Sequence, residues 1–294
     1  VAPPRHTTGI LPSQTLAELI REGVILADRK IQPAQIQPAS LDLRLGPVAY
    51  RVRASFLPGP GQDMAQKIER FTMHKVDLTQ GAVLERGCVY IVPLLERLSL
   101  SQRLSAIANP KSSTGRLDVF TRLITDGASE FDRIEAGYNG PLYAEIAPRT
   151  FSILARTGVR LNQMRIRRGE HRLTDAELTR LHQQTPLVHG KAGAENISGG
   201  IALTVDLQGA QNDGLIGYKA RPHAPLIDIE NIGHYDPADF WEPIHAGTGT
   251  QAGLVLNPDD FYILASREAV SVPPGYAAEM VAYDTLVGEF RVHY

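Results

Sequence analysis

The chain has 294 residues, 43% hydrophobic and 21% charged, a globular composition long enough for two domains. Its 30 Lys and Arg against 32 Asp and Glu give a net charge of −2, which lacks the basic footprint of a general nucleic-acid binder but leaves room for a local anion pocket. The single cysteine, Cys88, excludes a disulfide framework within one chain and fits a reducing, cytoplasmic compartment; no signal peptide and no apolar run of spanning length is read, so no membrane partner is expected.

Val1 to Gly9 reads as a loose arm, and a start at Val rather than Met leads us to expect residues ahead of it. The spacing predicts a helix over Ser13 to Glu22: Leu16, Leu19 and Ile20 share a face, Thr15 and Glu18 have capping-box spacing, and Gly23 stops it. The pattern then turns to strands, at Ser40 to Gly46, Ala82 to Leu95, Leu142 to Ile146 and Val159 to Ile166, cut by frequent prolines and glycines. Many short strands with little helix predict an all-β sandwich or barrel. A second helix is predicted over Asp175 to Gln184, capped by Thr174 and Glu177 and followed by Pro186. Gly190 to Asn196 and then Gly199-Gly200 read as a flexible connector. The expected organisation is therefore a first domain over 1–189, a linker over 190–200 and a second domain over 201–294.

The second half repeats the first. At an offset of 172, Gly81-Ala82-Val83-Leu84 meets Gly253-Leu254-Val255-Leu256, Tyr90-Ile91 meets Tyr262-Ile263, Glu96 meets Glu268, Ser99 meets Ser271 and Ala106 meets Ala278. Upstream, Ser40-Leu41-Asp42-Leu43 resembles Thr204-Val205-Asp206-Leu207. Continued with one insertion, the alignment sets Gly115 against Gly288, Ser112-Ser113 near Asp284 or Thr285, and Arg116 against Glu289. An acid in place of that Arg repels phosphate, so the second copy is expected to be degenerate and, ending at Tyr294, incomplete as given.

No zinc site can be assembled from scattered histidines and one cysteine, and the Cys-x-x-Cys of zinc deaminases is absent. No Walker loop, dinucleotide fingerprint or nucleophile elbow is present. The candidate that remains is Asn109-Pro110-Lys111-Ser112-Ser113-Thr114-Gly115-Arg116, whose hydroxyls and cations suit phosphate oxygens around a Gly that permits unusual bends. On composition alone it reads equally as a solvated loop.

Downstream comes Gly137-Tyr138-Asn139-Gly140-Pro141-Leu142-Tyr143-Ala144-Glu145, and upstream Gln37 to Gly46, with Gly158 to Gln163 following in order. Together these motifs resemble the dCTP deaminase branch of the dUTPase superfamily, and the whole chain is similar to its long, tandem-domain bacterial members. The resemblance implies two dUTPase-like β-barrel or β-clip domains, dCTP as substrate and dUTP plus ammonia as products. It implies Glu145 as catalytic acid–base, with Arg116 and Ser112 orienting carboxylate and water. It implies Lys111, Ser112, Ser113, Arg116, Tyr138 and Gln163 as nucleotide contacts. Lys111 stands where the family more often has Arg, keeping the charge but losing the bidentate fork. Residue period alone reads Glu145 as a solvent-facing strand Glu, and Tyr138 either packs on the deoxyribose or covers the core as a turn aromatic. Glu135 stands about where related diphosphatases carry an Asp, and Asp126 and Asp132 are further water or metal partners. Magnesium is implied as the triphosphate's counter-ion with no zinc, and a homo-oligomer, a trimer by resemblance, as the assembly. Arg165, Arg167, Arg168 and Arg172 either reach phosphates or form a solvated strand end. Trp241, Tyr235 and Phe240 read as core or interface. Two other readings stay open: a dUTP diphosphatase or bifunctional enzyme, and a nucleotide-sensing module without turnover.

Overall fold

Prolines and glycines cut the first half into thirteen strands interrupted by three helices, and the second half adds six strands and one helix among the described residues. A computed structural model describes residues 8–169, 172–189, 197–209, 213–247 and 253–281. In chain order the elements begin β1 (Gly9–Ile10), α1 (Ser13–Arg21), β2 (Ile25–Ala27), β3 (Leu41–Arg44), β4 (Val48–Val52), α2 (Met64–Phe71) and β5 (Thr72–Asp77). Next come β6 (Ala82–Leu84), β7 (Val89–Ser99), β8 (Leu104–Pro110), α3 (Ser112–Gly115), β9 (Val119–Thr125) and β10 (Arg133–Ile134). The run continues with β11 (Asn139–Pro148), β12 (Ile153–Ala155), β13 (Arg160–Arg168), α4 (Asp175–Gln184), β14 (Val188–His189) and β15 (Leu215–Ala220). It ends with β16 (Ile227–Asp228), β17 (Trp241–His245), β18 (Tyr262–Leu264) and β19 (Ala269–Val270). Among the described residues no helix is long and apolar enough to cross a membrane.

Two sheets make the first unit. One runs β1-β13-β8-β10 with β3 also on β13; the other runs β5-β4-β7-β11-β9 with β2 also on β7. They meet through β8 against β9 and β3 against β7. Leu41, Leu43, Met164, Ile166, Ala106 and Ala108 from the first sheet, and Leu123, Leu142, Ala144 and Ile146 from the second, are all buried. The second sheet is covered on its other face too. There Ile91, Ile124, Tyr143 and Val52 pack under Met64 and Ile68 of α2, with Phe56, Phe71 and Phe131 around them. A strand covered on both faces reads as a near-continuous apolar run. In β11 that run is Leu142-Tyr143-Ala144-Glu145-Ile146-Ala147, so its one charge is conspicuous.

The predicted helices are present at their expected starts, with a different cap on the first. The Thr174–Glu177 capping box forms both its bonds. Helix α1 instead begins beyond Pro12, which offers no side-chain cap, so Thr15 lies inside it. Helix α2 was not anticipated; Asp63 accepts from Gln66 N–H at 2.8 Å and Asp126 from Met64 N–H at 2.7 Å. Phe240 is buried against Tyr235, their centroids 5.5 Å apart, which bears out its core reading.

The internal repeat is written in hydrogen bonds. Glu85 N–H donates to Tyr90 Oη at 3.1 Å, and Asn257 N–H to Tyr262 Oη at 3.1 Å. Ser99 N–H donates to Val24 O, and Ser271 N–H to Leu187 O. Strand β2 pairs Ile25 with Leu98, as β14 pairs Val188 with Val270. The order β5-β4-β7 returns as β17-β15-β18, with Tyr50 opposite Ile91 and Tyr218 opposite Ile263.

Two expectations change in consequence. The pair of buried glutamates fixes the upstream register: Arg44 N–H donates to Glu96 Oε2 and Thr204 N–H to Glu268 Oε2. Arg44-Leu45-Gly46, rather than Ser40-Leu41-Asp42, is thus the counterpart of Thr204-Val205-Asp206. The even slip of four residues preserves the facing of side chains, which is why alternation alone accepted it. The domain boundary also differs. Helix α4 and β14 are the counterparts of α1 and β2, so the second copy opens with the helix that was expected to close the first domain. The division into two units falls between 171 and 172, with Pro225–His234 returning to the first unit, where β16 pairs with β12. The expected connector lies outside the described residues over 190–196, as do 1–7 of the arm and Asp284, Thr285, Gly288 and Glu289.

Candidate active site

Strand β8 ends at Pro110, and Lys111 is the extended residue that turns the chain into α3. Lys111 N–H donates to Leu161 O at 2.8 Å and Thr114 Oγ1 to the same carbonyl at 2.9 Å, so the turn is stitched to β13. Thr114 and Gly115 point inward, leaving Ser112, Ser113 and Arg116 exposed. Gly115 is a buried helical residue outside the positive-φ glycines, so the turn asks no unusual bend of it.

The first sheet brings three sequence motifs to this turn. In register, Gln163 of β13 lies between Asp42 of β3 and Asn109 of β8. Gln163 Oε1 accepts from Ser40 Oγ at 3.1 Å, and its Nε2 donates to Pro110 O at 3.4 Å. Lys111 Nζ donates to the buried Asp42 carboxylate, with Arg160 Nη1 3.7 Å from the same oxygen. Much of the Lys111 charge is therefore met inside the protein, leaving Arg116 as the outward cation of the turn. Of the arginine cluster, Arg165 donates to Asn109 Oδ1 at 2.7 Å and Arg167 to Ser105 Oγ at 3.2 Å, both on this sheet.

Glu145 belongs to the other sheet. It pairs with Ile91 of β7 and Arg122 of β9 and is 2% exposed, against the solvent-facing reading that period alone suggested. Its Oε2 has no hydrogen-bond partner. Burial pushes its pKa up, opposed by a hydrogen bond from Ser55 and by the Arg122 charge. Ser55 is itself exposed. Arg122 lies 4.3 Å from the Phe120 ring and 4.4 Å from the Phe131 ring, a clamp that fixes its position.

Tyr138 spends its hydroxyl on backbone, accepting from Asp126 N–H just after β9 at 3.2 Å and donating to Pro141 O of its own turn. A Cβ on Gly140 would lie 2.6 Å from that hydroxyl, so a larger residue there would push the Tyr138 ring from its place. The ring borders a cavity of about 80 Å³ with Asp126, Glu130, Arg133 and Glu135. Glu135 is ion-paired to Arg133 at 2.9 Å. Asp126 is used as a helix cap and Asp132 bonds to β9, and among the described residues no group of three or more His, Cys, Asp or Glu is placed to hold a metal ion.

Among the described residues no hydrogen bond or ion pair joins Arg116 or Ser112 to Glu145. Val119 pairs with Pro148, three residues along β11 from Glu145, a span of roughly 10 Å, and Arg116 lies three residues further back. The chain thus presents two separate candidates: an exposed turn carrying hydroxyls and a cation beside one sheet, and a buried carboxylate on the other. Sequence reasoning missed Arg122 and Ser55. Nothing local marks either one, since their relation to Glu145 comes from strand pairing and from the loop after β4.

The family model described as 2'-deoxycytidine 5'-triphosphate deaminase (DCD) N-terminal domain matches residues 7–170, and the C-terminal domain of the same description matches 174–294. The chain is similar to a dCTP deaminase, dUMP-forming, from Methanobrevibacter smithii, 28% identical over 142 residues, 47% of this chain and 69% of that one. A protein of the same description from Salinispora arenicola is 29% identical over 156 residues, 53% of this chain and 77% of that one. The crystal structure of a 2'-deoxycytidine 5'-triphosphate deaminase from Agrobacterium tumefaciens superposes with a TM-score of 0.93 at 55% identity, covering 98% of this chain and 83% of that one.

Proposed function

The chain belongs to the 2'-deoxycytidine 5'-triphosphate deaminase family, hydrolytic enzymes of deoxynucleotide metabolism, and on that premise we propose that Glu145 is the acid–base of its reaction, dCTP + H₂O → dUTP + NH₃. The observation that carries the reading is a carboxylate desolvated in the middle of a strand, with one oxygen unpartnered and its pKa raised. Such a group takes a proton from water as the oxygen attacks C4 of cytosine and passes it to N3, then takes the second proton from the new C4 hydroxyl and delivers it to the amino group, which leaves as ammonia as the C4–N bond breaks. Ser112, Ser113 and Arg116 meet the triphosphate and order the attacking water, with Lys111 and Gln163 shaping the turn. Tyr138, its orientation fixed by two hydrogen bonds, presents its ring to the deoxyribose. Magnesium enters as the counter-ion of the triphosphate.

In this reading the two candidates are half-sites, and a second copy of the chain supplies the missing half of each, in a homo-oligomer. Mixing inactive E145Q with inactive R116A tests this directly. Shared sites regain a fraction of wild-type activity on subunit exchange, whereas sites built within one chain stay dead.

A second reading has its own support. The two curated relatives are dUMP-forming, and by resemblance Glu135 stands about where related diphosphatases carry an Asp. Chromatography of the products of dCTP with Mg²⁺ separates the two: dUTP with ammonia alone favours deamination, while dUMP with pyrophosphate favours the bifunctional reaction.

A further inference from the structure

We propose that Arg160 is a further nucleotide-binding residue: its guanidinium, turned outward by a bulge in β13, stands beside the α3 turn as a second cation for the triphosphate. The inference rests on the assignment of that turn to the triphosphate above.

Strand β13 departs from its ladder at one residue. Asn162 pairs with Leu43 but Arg160 with Arg44, so two steps along β13 match one along β3, and Leu161 has no counterpart there. A bulge of this kind re-aims the side chains beyond it. Asn162 shares the inner face with the buried Met164 and Ile166, and strict alternation would put Arg160 there as well. The extra residue instead turns Arg160 to the outer face, where Gln163 lies opposite Asp42. The carbonyl of the bulged residue also holds the turn, since Leu161 O accepts from both Lys111 N–H and Thr114 Oγ1. One irregularity therefore docks α3 on the sheet and sets a guanidinium next to it.

Arg160 and Lys111 meet on one oxygen. Lys111 Nζ donates to Asp42 Oδ2; Arg160 Nη1 lies 3.7 Å from the same atom and donates to Ala34 O at 2.8 Å. Asp42 is buried, and among the described residues no other carboxylate is ion-paired with either cation. A single negative charge cannot cancel two positive ones. Lys111 takes the close contact. Arg160, its side chain 36% exposed against 26% for Lys111, keeps an outward charge. Arg116 is exposed on the turn itself. The neighbourhood of Ser112 and Ser113 thus carries surplus positive charge on two guanidiniums, whose planar forks suit phosphate oxygens. A polyphosphate, with its charge spread along a chain, is the ligand class that meets both.

The test is calorimetric titration with inorganic tripolyphosphate and Mg²⁺, alongside kcat and KM for dCTP, in the full chain as wild type, R160Q, R160K and R116A. R160Q loses a charge-assisted hydrogen bond. It is expected to bind tripolyphosphate about tenfold more weakly and to raise KM for dCTP by a similar factor, with kcat within about twofold of wild type. R160K keeps a cation on Asp42 but loses the fork, so it is expected to fall between R160Q and wild type. Unchanged tripolyphosphate affinity in R160Q, or a fall in kcat with KM kept, overturns the proposal. If thermal unfolding shows that R160Q does not fold, R160K takes its place, and wild-type affinity there overturns the proposal instead. Wild-type affinity in R116A overturns the assignment of the turn itself, whereas a weakened R116A beside an unchanged R160Q overturns only the role of Arg160.

Discussion

In the first half Glu96 is buried and accepts from Arg44 N–H, Arg44 Nε and Gln35 Nε2; in the second, Glu268 is also buried and, among the described residues, its carboxylate accepts from Thr204 alone, through its N–H and hydroxyl. The same backbone bond is kept, and the side chains around it have been replaced. The tyrosine hydroxyl caps and the β5-β4-β7 pairing behave the same way, returning in β17-β15-β18 with other residues on them. The difference teaches that the repeat conserves a hydrogen-bonded frame and leaves the chemistry to what hangs on it. Burial by itself does not make a glutamate reactive. Glu268 is held below the usual carboxylate range by the Thr204 hydroxyl, while Glu145 is raised by desolvation.

The largest expected effect breaks that comparison at its functional end. E145Q should lower kcat for dCTP by about 10²–10⁴-fold, the range for a lost general acid–base, while equilibrium titration finds dCTP affinity within severalfold of wild type. E268Q, at an equally buried glutamate, should leave kcat unchanged. Equal losses in the two variants would mean that the assay reads folding rather than catalysis.

A smaller effect sharpens the structural side. E96A leaves the Arg44 guanidinium buried without its carboxylate, although Arg44 also donates to Lys30 O and Arg29 O. Breaking one partner of a buried pair costs about 3–5 kcal/mol. E268A strands only a hydroxyl and an N–H, for which about 1–3 kcal/mol is typical. Urea unfolding should therefore rank E96A well above E268A. The reverse order would mean that the second half depends on its buried glutamate more than its simpler bonding indicates.

Much of this was legible in the sequence because it is local or periodic. The 172-residue offset, the α4 capping box and the Lys111–Arg116 turn all announce themselves within short windows. Other features are invisible there for physical reasons. Helix α2 follows Pro58-Gly59-Pro60-Gly61, whose turn signals mask an apolar spacing of Met64, Ile68 and Phe71 and the cap at Asp63. Val119 to Thr125 reads as an ordinary alternating strand, and only its register against β11 sets Arg122 on Glu145. The end of the first domain was misplaced because a Gly-rich stretch resembles a linker, while pairing of Val188 with Val270 is a contact across more than eighty residues that composition does not encode.

The smallest effect tests the frame itself. Tyr90 and Tyr262 each accept one backbone N–H, from Glu85 and Asn257, at the same 3.1 Å. Phe in place of either keeps the ring and removes one hydrogen bond, whose net worth is about 0.5–1.5 kcal/mol. The surroundings differ, however: Tyr90 is 2% exposed, whereas Tyr262 is only partly buried and its hydroxyl also reaches Asp260 at 3.4 Å. The bond at Tyr90 is partly buried, so the Glu85 N–H is rehydrated less easily when it loses its acceptor, and Y90F should lie toward the top of that range. The Asn257 amide is near solvent and can be rehydrated, so Y262F should lie at the bottom. Comparable losses in thermal unfolding would instead show that the bond is equally desolvated in both halves, and that the repeat conserves the strength of its frame as well as its geometry.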